Sequence, residues 1–124
     1  MLRERSGRLG SPDMNSKPSV TGRDPEKAFR GQIKGAVRKL ERAVQDVLAH
    51  FWEEPLRRHA HELSATLLDG CKAYGYLELA SVIRAITSLL ALPMEEVLTL
   101  EDALRDKLTE LITLLKEMAD LVAA

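Results

Sequence analysis

Leu56-Arg57-Arg58-His59-Ala60-His61-Glu62-Leu63, running on through Ser64 to Ala73 and stopping at Tyr74-Gly75, is the stretch that decides the fold. An α-helix turns by about 100° per residue, so Leu56, Ala60, Leu63, Leu67 and Cys71 fall within about 40° of one direction. His61 lies about 120° from that direction, on the side that faces water. Arg57, Leu68 and Lys72 flank it on the same strip, with Ser64 and Ala65 one turn later. His59 sits at the edge of the buried face. Pro55 suits a first helical turn and Gly75 suits the position just past a helix end, so the spacing predicts a helix over 55–73.

Working outward, the same logic finds three more helices. Asp24-Pro25-Glu26 is a start signal: a capping carboxylate, a proline with no amide to lose, and an acid at the positive end. Phe29, Ile33, Val37, Leu40, Val44, Val47 and Leu48 then repeat at three-and-four spacing, which predicts a helix over 25–50. Pro55 disfavours a helical Glu54 and so marks a break near Trp52. Phe51 and Trp52 are expected to plug the end of the bundle. From Leu77 to Leu90 the apolar arc is wide, so this helix is expected to be the most deeply buried. Pro93 ends it, and 93–97 reads as one short turn. Thr99 and Asp102 resemble a capping box ahead of a last helix that repeats Leu104, Leu108, Leu111, Leu115, Met118 and Val122. Four amphipathic helices with short connections predict an all-α, antiparallel four-helix bundle over 24–124. Residues 1–23 are polar, with almost no apolar content, and read as a disordered tail, with Met1 and Met14 both possible starts.

Composition limits the chemistry. The chain has 124 residues, 45% of them apolar but only 4% aromatic, so its core must be aliphatic. A net charge of −1 argues against nucleic acid as the main partner, since phosphate binding needs an excess of Lys and Arg. Residues 25–72 carry nine basic and seven acidic side chains, and residues 73–124 carry four and nine. The single Cys71 forms no internal disulfide and belongs to the buried stripe. No apolar run approaches ~18 residues and no signal-peptide core follows Met1, so the reading is a cytoplasmic protein with no membrane span. His59 and His61 point about 160° apart and cannot share one metal. No Glu-x-x-His occurs, so no metal and no cofactor is expected.

The His61 helix resembles the active helix of the histidine phosphotransfer (HPt) domain, the relay module of two-component signalling. That family has apolar residues five and one before its histidine and two and six after, here Leu56, Ala60, Leu63 and Leu67. A second glycine opens its next helix, as Gly75-Tyr76-Leu77-Glu78-Leu79-Ala80 does. The long first helix and acidic last helix look like the phosphotransfer domain of chemotaxis kinases. The resemblance spans about residues 27–122, and its specific part is the neighbourhood of His61. It departs in three places. Ser64 stands where the family has lysine, Ala65 stands where it has glycine, and the interval from His61 to Gly75 is about one helical turn longer. Counting back from Gly75 with the shorter interval puts Ala65 at the active position, so both registers stay open.

The resemblance implies a phosphorelay intermediate rather than a free-standing enzyme. His61 would carry phosphate taken from the aspartyl phosphate of a response-regulator receiver domain, which holds its own Mg²⁺, or would exchange it with a histidine kinase. Arg57 and Lys72 would steer the phosphate, Ser64 and Ala65 would give clearance, and Leu68 would touch the partner. The alternative is an HPt-like adaptor that binds a signalling partner without being phosphorylated. A dimerising bundle is a third reading, and the oligomeric state is not fixed by sequence.

Overall fold

The computed structural model describes residues 24–123. The readings of 1–23 as a disordered tail and of Met14 as a start lie outside them. Four helices follow in order: α1 (Pro25–Ala49), α2 (Glu54–Ala73), α3 (Leu77–Leu90) and α4 (Met94–Ala123). The chain divides into two units, Met1–Gly31 and Gln32–Ala124. The described part of the first holds the start of α1. There Asp24 Oδ1 accepts the Glu26 amide at 3.1 Å, which satisfies one orphan donor of the helix end. Arg30 and Glu26 pair one turn apart.

Within Gln32–Ala124 the helices form an antiparallel four-helix bundle, and cross-links fix the directions. Lys34 pairs with Asp120, Lys116 Nζ donates to Glu41 Oε2 at 2.8 Å, and Arg105 Nη2 donates to the Leu48 carbonyl at 3.1 Å. Rising numbers in α1 meet falling numbers in α4. Likewise α2 runs against α3, with Ser64 beside Ile83 and Arg57 beside Leu90. α3 also packs on α4. The core is aliphatic, as the composition requires: Leu40, Val47, Ile83, Ile86, Leu108 and Leu115 are fully enclosed.

Local chemistry explains the helix ends. Gly75 has φ 79°, the left-handed region that glycine enters without a side-chain penalty. This lets the Gly75 amide donate to the Lys72 carbonyl and the Tyr76 amide to the Cys71 carbonyl, the paired bonds of a Schellman cap on α2. α4 is broken at Leu100 (φ −116°, ψ 21°), so a short piece from Met94 precedes the long helix. Thr99 does not cap that long helix, contrary to the capping-box reading. Its hydroxyl donates back to the Glu95 carbonyl at 2.9 Å and closes the short piece instead.

The turn from α1 to α2 is strained. Phe51 (φ 55°) and Trp52 (φ 61°) are both left-handed, at about 1–2 kcal/mol each for residues with a side chain. Burying the ~200 Å² of an aromatic at about 25 cal/mol/Å² contributes about 5 kcal/mol, so Trp52 outweighs both penalties. Trp52 is 1% exposed and its Nε1–H donates to Glu101 Oε2 at 3.2 Å. Trp52 therefore plugs the bundle end as expected. Phe51 does not: it is 86% exposed, because two consecutive residues in this turn cannot both aim inward.

Candidate functional site

α2 presents Ala60, Ser64, Leu67 and Cys71 as its buried positions. On the helical wheel their common direction lies about 30° closer to His61 than the leucine-weighted stripe implied. Three of the four are small, which lets α2 approach α3 closely. The rotation has two consequences for the histidines. His61 is half-buried rather than fully exposed, and His59, expected at the edge of the buried face, is exposed.

His61 lines a shallow depression of about 180 Å³ together with Glu54, Arg57, Arg58, Leu90 and Ala91. The α2 N-terminal turns form one wall and the end of α3 forms the other. Among the described residues, no hydrogen bond holds the His61 ring.

The residues expected around His61 separate. Arg57 is half-buried, and its Nη1 donates to the Leu92 carbonyl at 2.7 Å and the Leu90 carbonyl at 3.4 Å. A helix leaves its last carbonyls unpaired and its C-terminus partly negative, so this guanidinium caps α3. Its Nε is buried without a partner. Arg57 is thus an α3 cap and not a free phosphate-steering cation. Ser64 is fully buried and not part of the exposed strip. Thr87 Oγ1 donates to the Ile83 carbonyl at 2.8 Å, so the Ser64 hydroxyl donates to Thr87 Oγ1. That contact satisfies a buried polar group at the α2–α3 interface. Ala65, one turn after His61, is half-buried and so is Leu68. Lys72 is exposed but eleven residues on, about 16 Å along the axis, and does not line the depression that His61 opens into.

Arg58 is the cation the sequence reading passed over. It stands three residues before His61, on the adjacent turn, and lines the same depression. Its Nη2 donates to Glu54 Oε2 at 2.8 Å, with both side chains largely in solvent. Such an exposed pair stabilises a helix by only about 0.3–0.5 kcal/mol, so Arg58 can exchange its partner cheaply. The three-residue spacing was the available signal.

A second polar cluster sits at the α1–α2 corner. Glu101 accepts from Trp52 and, at 2.7 Å, from Arg105 Nη2, which also caps the end of α1 at Leu48. The bond from Trp52 and then that from Arg105 hold the Glu101 carboxyl below its ordinary pKa. Burial pushes the Cys71 thiol up to about 11, so it is a neutral core group at pH 7. Among the described residues, no group of three or more metal-ligating side chains gathers, and no helix is long and apolar enough to cross a membrane. No protein-family model, curated protein or solved structure matches the chain.

Proposed function

We propose that this chain is a cytosolic phosphotransfer module that docks a response-regulator receiver domain and carries a phosphoryl group on His61. The carrying observation is the half-exposed imidazole, unrestrained by hydrogen bonds and opening with Arg58 into one depression. Phosphoryl transfer asks little of such a module beyond a placed nucleophile and nearby positive charge. An imidazole nitrogen attacks the phosphorus of the receiver's aspartyl phosphate. The N–P bond forms as the P–O bond to the aspartate breaks, and the electron pair stays on that carboxylate. Arg58 takes the steering role, released from Glu54 as the phosphoryl oxygens arrive. Arg57 holds the α3 wall of the depression.

The second reading is a binding-only adaptor, and Ser64 favours it. The position three after His61, where the resembled family has lysine, is buried against Thr87 and supplies no charge to the surface.

One experiment separates the two. The full chain is incubated with a receiver domain charged by a small phosphodonor, or with a kinase from the same cell, and read by intact mass at neutral pH. An acid-labile gain of one phosphoryl group, absent in His61→Ala, supports the relay. Stable complex formation with no gain, unchanged by His61→Ala, supports the adaptor.

A further inference from the structure

We propose that the face shared by α1 and α4 is a docking surface for an acidic segment of a partner protein, with one carboxylate side chain of that segment seated on Arg38. Lys34, Val37 and Arg38 of α1 and Lys116, Ala119 and Asp120 of α4 line one depression of about 180 Å³. Three cations from two helices thus converge on one void, against a single carboxylate. Cross-links between the same two helices hold the arrangement. Lys34 Nζ stands 3.5 Å from Asp120 Oδ1, and Lys116 Nζ donates to Glu41 Oε2.

Arg38 is the group that these pairs leave over. It is exposed, and among the described residues its guanidinium forms no hydrogen bond and no ion pair. The same holds for Arg42, one turn further on. Lys34, Arg38 and Arg42 follow one another at four-residue spacing, where like charges face each other along a helix and repel. Asp120 offsets this repulsion at Lys34, but no described residue offsets it at Arg38 or Arg42.

The chemistry of the depression selects the occupant. Its floor is apolar, since Val37 and Ala119 are 2% and 1% exposed, and its rim is cationic. A glutamate or aspartate side chain offers the matching pair, a short methylene stem for the floor and a planar carboxylate for the rim. A guanidinium meets such a carboxylate through two parallel N–H donors, a geometry that an ammonium lacks. Lys34 and Lys116 are held by exposed ion pairs, which exchange partners cheaply, so both can turn toward an arriving anion. An anionic bilayer fits less well. An interfacial helix enters the headgroups with its apolar face, whereas Ile33, Val37, Leu40 and Val44 of α1 are turned into the core. Nucleic acid fits less well too, because Glu41 and Asp120 interrupt the basic strip and the whole chain has a net charge of −1.

The test uses the full chain and a short fluorescein-labelled peptide rich in glutamate. Fluorescence anisotropy is read in about 0.05 M salt, where surface charges are weakly screened. The expected result is saturable binding that is lost as salt approaches about 0.5 M, and that is at least about tenfold weaker for the same peptide with glutamine in place of glutamate. Arg38→Gln weakens it by about tenfold, and Arg38→Lys, which keeps the charge but not the planar fork, by about threefold. Lys39→Gln removes the same charge from α1 outside the depression and leaves binding within about twofold. Circular dichroism of each variant verifies the fold. Absence of saturable binding overturns the proposal. So does equal weakening by Arg38→Gln and Lys39→Gln, which would reduce the surface to diffuse charge. Tighter binding to phosphatidylserine vesicles or to a single-stranded oligonucleotide, abolished by Arg38→Gln, also overturns it, since the surface would then serve lipid or nucleic acid. His61→Ala leaves peptide binding unchanged, which keeps a failure here distinct from a failure of the relay.

Discussion

Arg57 and Arg58 are chemically identical neighbours, and the structure gives them opposite work. Arg57→Met removes a charge-assisted bond of 2.7 Å to the Leu92 carbonyl and a long one of 3.4 Å to Leu90. Bonds from charged donors contribute about 1.5–3 kcal/mol, and the longer one adds little. Against this, the buried Nε that finds no partner disappears, which returns about 1 kcal/mol. Methionine refills the aliphatic stem. The expected net loss is about 0.5–2 kcal/mol, and for a domain near 100 residues this lowers Tm by about 2–10 °C. Arg58→Met breaks only an exposed i,i+4 pair, so it costs about 0.5 kcal/mol or less. Urea and thermal unfolding followed by Trp52, the sole tryptophan, measure both variants. Phosphoryl gain at His61 is then timed for each, under conditions where both remain folded. Arg58→Met is expected to slow it by about tenfold, and Arg57→Met to leave it within about threefold. A stable but transfer-dead Arg57→Met would refute the capping assignment and restore Arg57 as the steering cation.

Four further outcomes follow from the same geometry. Phe51→Gly removes a left-handed penalty and loses almost no burial, so stability in urea should rise by about 0.5–1 kcal/mol; a loss would show that the ring is packed in solution. Cys71 should react with a thiol reagent only as fast as the protein opens, and unfolding free energy should fall as pH rises above 9.0, the ordinary thiol value, because the unfolded chain ionises while the folded thiol stays neutral until about 11. Glu101 has the opposite sign: its lowered folded pKa contributes stability above the ordinary 4.5 that is lost as pH falls through the folded value. Glu101→Gln should flatten that acid limb of a pH–stability curve, and an unchanged limb would count against the Trp52–Glu101–Arg105 cluster. Finally, Ser64→Lys, which restores the resembled family's residue, should cost about 3 kcal/mol or more, because its ammonium would displace the Thr87 contact and lie buried and unpaired; a fully stable variant would mean that α2 rotates to expose the position.

Helix boundaries were legible because they are local. Asp24-Pro25, Pro55, Gly75 and Pro93 act on the backbone within a turn of where they stand, and the helices start or stop within one or two residues of each. The Schellman cap at Gly75 needs only a residue that accepts positive φ. The opposite fates of Phe51 and Trp52 were not legible, since neither Gly nor Asn announces the left-handed turn that separates them. The break at Leu100 was legible in outline, since the turn at 93–97 and the start signal at Thr99 and Asp102 separate a last helix there, although Thr99 does not make the capping bond.

The candidate site was legible only as far as the face of one helix, and the reason lies in Ser64. Weighting the wheel by leucines centres the buried stripe on Leu56, Leu63 and Leu67. Close helix contacts instead favour small side chains, here Ala60, Ser64 and Cys71, and a serine can join them only if a partner across the interface takes its hydroxyl. That partner is Thr87, twenty-three residues away and invisible to any local pattern. The resulting turn of about 30° is a small angle for a leucine stripe but a large one for charges at its margin. It carries Arg57 to the edge of the interface, where the open carbonyls of α3 capture it, and leaves Arg58 as the cation facing solvent beside His61. One buried hydroxyl thus decides which arginine stands exposed next to the histidine, and the chemistry assigned to this surface depends on tertiary contacts that the helix carrying it does not encode.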